Sequence, residues 1–293
     1  DIDKKYRFNS YEEIINCDAV SSIYISTLNN THADIIIKAA KAKKNILCEK
    51  PTTTNYEDAK KVFEIIKESG IFFLEAIAYR THEQTQSVIK KIEEDEIGEI
   101  EKIESTFGFL VKKINAKSRL FDKKLGGGAI LDVGCYPVSY SNLLAKLKDK
   151  KNFEVPKLIE VKGSLCETGV DEFSYATLKY KNGIMSKIGA AIRLNMKNTT
   201  LIIGTKGKIL INSPWLPEQK AFIDIETSKG SYKSFINSKN NIYANQINVA
   251  SKHILDGNKE ASFPAMTWQD TLNNMYILDE WKKKLNKIYE KQI

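Results

Sequence analysis

Three short apolar runs alternate with two amphipathic stretches of helical length between residues 19 and 74, and this alternation restricts the fold more than any other feature. Ala19 to Ser26 reads as a strand, and Ala33 to Lys43 follows with Ile35, Ile36, Ala39 and Ala40 at helical spacing. Asn45 to Cys48 reads as a second short buried strand. Asn55 to Ser69 reads as a helix with Ala59, Val62, Phe63 and Ile66 on one side, closed by Gly70, and Ile71 to Leu74 as a third strand. Buried strands joined by helices of this length pair in parallel through right-handed crossovers. Ligands of such sheets bind beyond the carboxyl ends of the strands. Here those ends are Ser26-Thr27-Leu28-Asn29-Asn30-Thr31-His32, Glu49-Lys50-Pro51 and Glu75-Ala76. Taken singly, each reads first as an ordinary exit to solvent; three neighbouring polar ends after buried runs weaken that reading in favour of a cleft.

After residue 80 the rhythm changes. Thr81 to Glu94 reads as a helix, Ile100 to Phe109 as a long strand, and Gly127 to Lys146 as a glycine turn running into a helix. From Lys157 to Ser238 strands follow one another almost without helices, linked by turn chemistry such as Lys181-Asn182-Gly183. Two helices close the chain, Tyr243 to Leu255 and Met266 to Leu285. The expected fold class is α/β: part of a Rossmann-type domain over residues 1–78, then an α+β domain over 79–293 with a large, mostly antiparallel open sheet. One face of such a sheet is available to a partner, and a second copy of the chain is the simplest one, so a homodimer or homotetramer through this sheet is expected.

The composition excludes several classes. The chain has 293 residues, 42% hydrophobic and 28% charged, enough for a substantial core. No apolar stretch approaches the roughly 18 to 20 residues that span a bilayer, so no membrane role is expected. The charged start Asp1-Ile2-Asp3-Lys4-Lys5 shows no secretory leader. The formal net charge of +8 invites a nucleic-acid reading, but the lysines alternate with glutamates, as in Lys90-Lys91-Ile92-Glu93-Glu94, and read as solvated surface. Lys282-Lys283-Lys284 reads as the wet face of the last helix. Cys17, Cys48, Cys135 and Cys166 are widely spaced without a C-x-x-C pair, which fits a reduced cytoplasmic protein with neither disulfide nor metal site.

The second chemical cluster is Gly126-Gly127-Gly128-Ala129-Ile130-Leu131-Asp132-Val133-Gly134-Cys135-Tyr136-Pro137. Asp132 and Tyr136 stand at i and i+4, on one face of an otherwise apolar helix. A capping acid and a buried tyrosine is the plainer reading; an acid and a phenol facing a cleft is the chemical one.

In their order along the chain these segments resemble the Gfo/Idh/MocA oxidoreductases. The motif Thr27-Leu28-Asn29-Asn30-Thr31-His32 resembles the family's Thr-Pro-Asn-x-x-His, and Glu49-Lys50-Pro51 its Glu-Lys-Pro. "EAIAYRTHEQTQ" (75–86), "GEIEKIESTFGF" (98–109) and "RLFDKKLGGGAILDVGCYPV" (119–138) extend the likeness, the last toward the branch of glucose–fructose oxidoreductase, dimeric dihydrodiol dehydrogenase and xylose dehydrogenases. The resemblance implies hydride transfer between NAD or NADP and a sugar-like secondary alcohol or carbonyl. It implies Tyr136 as acid/base, Lys50 as the cation that lowers the phenol's pKa, and Asp132 as partner of the sugar or of Lys50. It places Thr27, Leu28, Asn29, His32, Glu49, Lys50, Glu75 and Ala76 at the cofactor, and Tyr79, Arg80, His82 and Arg119 at the substrate; Arg119 reads equally as a surface ion-pair partner. Leu28 replaces the motif's proline and Glu83 stands where relatives often carry proline. Only five residues precede Tyr6, and no G-x-G-x-x-G loop is present. On that basis the sequence predicts weak or absent NAD(P) binding by the chain as printed. The alternative is a non-enzymatic sugar-binding or oligomerising descendant.

Overall fold

The strand–helix alternation folds into a three-stranded parallel sheet. In the computed structural model, which describes residues 3–148 and 153–290, the first part comprises α1 (Tyr11–Ile15), β1 (Ser22–Ile25), α2 (His32–Lys41), β2 (Asn45–Glu49), α3 (Tyr56–Ser69) and β3 (Phe73–Ala76). The sheet order is β1-β2-β3, with Ile25 opposite Cys48 and Glu49 opposite Ala76. β1 is shorter than its apolar run because Val20 closes a turn onto the Cys17 carbonyl and pairing begins at Ser22 opposite Asn45. The Asn55 side chain accepts from the Asp58 amide to cap α3, and Gly70 ends that helix in the left-handed region at φ 63°. Ile36, Ala39, Ile46, Val62 and Ile66 pack into one core around this sheet.

The second part comprises α4 (Glu83–Glu93), β4 (Ile100–Gly108), α5 (Cys135–Lys148), β5 (Lys157–Leu165), β6 (Asp171–Lys179), β7 (Met185–Ala191), β8 (Thr200–Gly204), β9 (Gly207–Ile211), β10 (Lys220–Thr227), β11 (Gly230–Asn237), α6 (Ile242–Leu255) and α7 (Trp268–Glu290). Its sheet has eight strands in the order β11-β10-β9-β8-β4-β7-β6-β5. The pairings are antiparallel except that of β4 with β7, so the sheet is mixed at its centre. α5 and α7 pack together and against this sheet. The Trp281 indole of α7 is fully buried and donates to Ser174 Oγ at 2.8 Å.

α7 also reaches the first part: Trp268 Nε1 donates to the Phe73 carbonyl at 3.3 Å, and Tyr276 meets Tyr56 edge-on at 5.3 Å. Of the three consecutive lysines on α7, Lys283 and Lys284 are exposed, as the sequence suggests. Lys282 is partly buried, and that burial lowers its pKa.

Candidate active site

Two short pieces of chain build the site. Lys50 follows the last residue of β2, and Asp132 and Tyr136 come from the helical stretch behind the glycine turn. That stretch is not one α-helix: Ile130–Gly134 winds as a π-helix before α5 begins at Cys135. Pro137 supplies the reason. It has no N–H to give to the carbonyl four residues back, and a widened turn just before it absorbs the lost bond. The i, i+4 expectation for Asp132 and Tyr136 is corrected in detail, yet both still converge on Lys50. Lys50 Nζ donates to the Asp132 carbonyl at 2.5 Å, lies 3.5 Å from Asp132 Oδ1, and stands 5.2 Å from the centre of the Tyr136 ring. Arg119 Nη1 donates to Asp132 Oδ1 at 2.7 Å from a side chain that is 54% exposed. The ion-pair alternative for Arg119 therefore holds, with the site's own aspartate as its partner.

Burial alone would drive Lys50 toward neutrality, but Tyr136, once ionised, and Asp132 outweigh it, so the pKa stands above the ordinary lysine value, and near neutral pH it is the Asp132 carboxylate that sustains the ammonium. Asp132 gains from the same arrangement: burial raises its pKa, and Lys50 and Arg119 bring it below the ordinary carboxylate value. Tyr136 differs from expectation. Burial raises the phenol and Lys50 only partly offsets this, so the net shift is upward. The phenol is thus neutral at physiological pH, a proton donor beside a fixed cation. Its hydroxyl makes no hydrogen bond among the described residues.

The wall behind Tyr136 is aromatic. Phe107 meets its ring edge-on at 5.2 Å, Trp215 lies tilted to it at 5.9 Å, and Phe107 and Trp215 stack at 5.8 Å. Trp215 is anchored by its indole N–H to the Thr106 carbonyl at 2.9 Å. Sequence reasoning did not single out Phe107 or Trp215. Phe107 lies in a recognisable strand, but Trp215 lies in the loop before β10, where nothing local marks a site residue.

The strand-end residues divide into two groups. At the mouth, Leu28 is exposed, Thr27 Oγ1 pairs with Thr31 Oγ1 at 2.7 Å, and Asn29 Nδ2 donates across to the Gly126 carbonyl at 3.2 Å. Glu49 accepts from the Tyr24 hydroxyl. Deeper, Ala76 is buried and His32 is wholly buried, with Nδ1 2.9 Å from the Pro51 carbonyl and Nε2 3.1 Å from the Thr27 carbonyl. His32 thus braces the ends of β1 and β2, each ring nitrogen facing a backbone carbonyl. Glu75 is buried beneath the turn after Lys50, where the Thr52 amide donates to Oε1 at 3.1 Å. Its Oε2 and the Thr52 hydroxyl have no hydrogen-bond partner among the described residues. Burial pushes the Glu75 pKa up to about 7, against the pull of Thr52, Thr271 and Arg80.

Arg80 and His82 turn into the core, whereas the Tyr79 ring packs against the aromatic wall, 6.2 Å from that of Tyr136 and 5.8 Å from that of Trp215. The chain turns through a 3-10 segment, Ala78–Thr81, which points it into the core instead of continuing α4 upstream. Tyr79 is fully buried with its hydroxyl on Ser139 Oγ at 2.9 Å. Arg80 pairs with Asp270 Oδ2 at 3.1 Å, and Lys146 takes the other carboxylate oxygen at 3.1 Å. His82 caps α4, accepting from the Gln84 amide at 3.0 Å, and burial lowers its pKa. Their polar atoms serve the packing of one element on another, which a local motif does not reveal.

The residues present fit a nicotinamide cofactor. A charged ammonium and an unengaged phenol stand where the parallel sheet ends, so an alcohol held beside a nicotinamide ring would meet a proton partner and a positive charge together. Among the described residues no group of three or more His, Cys, Asp or Glu side chains is placed to hold a metal ion.

Comparison with known proteins agrees with this arrangement. Residues 3–76 match the oxidoreductase family with an NAD-binding Rossmann fold, and residues 85–210 match the GFO/IDH/MocA C-terminal domain. The chain belongs to the Gfo/Idh/MocA oxidoreductases. Among Gfo/Idh/MocA relatives, the trans-1,2-dihydrobenzene-1,2-diol dehydrogenase of Xenopus tropicalis is 28% identical over 286 residues, covering 96% of this chain and 83% of that protein. Two solved structures share the fold. An aldose-aldose oxidoreductase from Caulobacter crescentus, complexed with glycerol, superposes with a TM-score of 0.84 at 20% identity over 98% of this chain and 84% of that one. A 3-ketoreductase from Actinomadura kijaniata, solved with NADP and TDP-benzene, gives 0.82 at 22% identity over 94% and 82%.

Proposed function

We propose that this Gfo/Idh/MocA protein interconverts a sugar-like or diol secondary alcohol and its carbonyl, with Tyr136 as the proton partner. The observation that carries this reading is the Lys50 ammonium held between Asp132 and the Tyr136 ring, beside a phenol without a hydrogen bond among the described residues. NAD or NADP, when bound, supplies the hydride acceptor or donor. Lys50 orients the reacting oxygen and stabilises negative charge on it; Tyr136 gives that oxygen a proton on reduction and takes it back on oxidation. Asp132 keeps Lys50 charged and placed. Thr27, Asn29 and Glu49 ring the strand ends where the cofactor would lie, Arg119 edges the substrate side, and the substrate domain begins near residue 79. The relatives named above, which act on diols, aldoses and a ketone, support the substrate class.

The free face of the eight-stranded sheet is assigned to a homodimer or homotetramer contact, supported by exposed Tyr175 and Phe235. The four free cysteines support a reducing, cytoplasmic setting. Tyr136→Phe tests the central assignment. It leaves the ring packing intact and lowers kcat by about 10²- to 10⁴-fold while cofactor affinity holds; a rate near that of the unaltered enzyme refutes it.

A further inference from the structure

The helical stretch that carries Asp132 and Tyr136 begins with amide groups that no helical carbonyl can satisfy. They are satisfied from elsewhere in the chain. Asp171, the first residue of β6, is buried, and its Oδ2 accepts from the Ile130 amide at 2.6 Å. The Ala129 amide also stabilises this carboxylate. Asp171 fits so closely that a Cβ on Gly128 would lie 2.2 Å from its Oδ1, at a residue whose φ is +111°. Asp171 is itself rigidly aimed: Cys166 donates to the Val170 carbonyl at 2.9 Å and Gly169 to the Cys166 carbonyl at 2.8 Å, closing the β5–β6 hairpin just before it.

We infer that Asp171 is a positioning residue for the reaction: its carboxylate fixes the start of the helical stretch and thereby sets Asp132 and Tyr136 against Lys50. This rests on the function proposed above. The lever is short, since Asp132 lies two residues beyond the capped amide. The following turn is a π-helix, whose wider winding is the less common arrangement and needs its end held. A misplacement of about 1 Å at a reacting group costs on the order of 100-fold in rate. Lys282 is the cation facing this carboxylate, and Asp279 and Lys123 bear on Lys282 in turn. Burial pushes the Asp171 pKa up to about 6, against the pull of the Ile130 amide and Lys282. The cap is therefore charged at neutral pH and lost as pH falls through about 6.

Asp171→Asn keeps the shape and one acceptor but removes the charge. The expected result is a folded enzyme with cofactor affinity unchanged, KM for the alcohol within about twofold, and kcat lower by about 10- to 100-fold. The acid limb near pH 6 expected of the unaltered enzyme should be absent from the variant. Wild-type kcat with an unmoved acid limb would overturn the inference. Lys282→Met provides a second arm if the first variant fails to fold: removing the facing cation raises the acid limb, and an unmoved limb counts against Asp171. Amide hydrogen exchange separates this inference from the proposed function. If no sugar or diol is turned over, the functional reading fails, yet Asp171→Asn must still speed exchange across residues 129–136 relative to β2 and β3; equal protection overturns the positioning role.

Discussion

Replacing Glu75 by glutamine should make the protein more stable at pH 8 and almost unchanged at pH 5. The folded state raises this carboxyl from an ordinary 4.5 to about 7, so the native protein binds its proton more tightly than the unfolded chain does. The sign follows directly. Below about 4.5 both states carry the proton and burial costs nothing through ionisation. As pH rises from there to about 7, the unfolded chain ionises first and native stability falls. Above about 7 the full penalty stands, about 3–4 kcal/mol at about 1.4 kcal/mol for each tenfold difference in proton affinity. Glutamine has no charge to bury, still accepts from the Thr52 amide, and places an N–H near the Thr52 hydroxyl that now lacks a partner. Thermal melts of both proteins from pH 5 to 8 measure the difference. At about 2–4 °C per kcal/mol, the variant should gain several degrees at pH 8, and the gain should shrink as pH falls. A variant that melts below the unaltered protein at pH 8 would show that Glu75 serves the fold as a carboxylate, and the burial argument would be refuted.

Two further outcomes follow from the geometry. Arg80→Met strands Asp270 with Lys146 alone in a buried setting and should cost about 3–5 kcal/mol in a denaturant melt, whereas KM for the alcohol in the folded fraction stays near normal; a raised KM with unchanged stability would return Arg80 to the substrate. Because burial keeps the Tyr136 phenol protonated, carbonyl reduction should run level from pH 7 to 9 while alcohol oxidation rises about tenfold per pH unit; oxidation that stays flat over that range would exclude the phenol as the group titrating in the reaction.

Much of the architecture was legible because strand and helix periods are local properties. Ile35, Ile36, Ala39 and Ala40 mark a helix whatever surrounds them, and the apolar runs between such helices leave little choice but parallel pairing. Lys50, Asp132 and Tyr136 were legible because each interrupts an apolar run with a group that must be justified. The placement of Arg80 was hidden because a polar residue after a buried strand looks the same whether it faces a cleft or a neighbouring helix; its deciding contact, Asp270, lies 190 residues further on. The π turn was hidden for a different reason: Pro137 forbids one hydrogen bond but does not say how the helix adapts. Asp171 is an unremarkable acid at the start of a strand until its partner amide, 41 residues upstream, is known.

The bond from Lys50 to the Asp132 carbonyl has a consequence for substitution. A carbonyl belongs to the backbone and survives any substitution at position 132, so one of the two contacts that hold the lysine does not depend on the aspartate side chain. With an amide or a hydroxyl at that position the amine would keep this bond but lose a negative charge that opposes its burial. The backbone thus fixes where the amine sits, and the side chain governs how readily it stays charged.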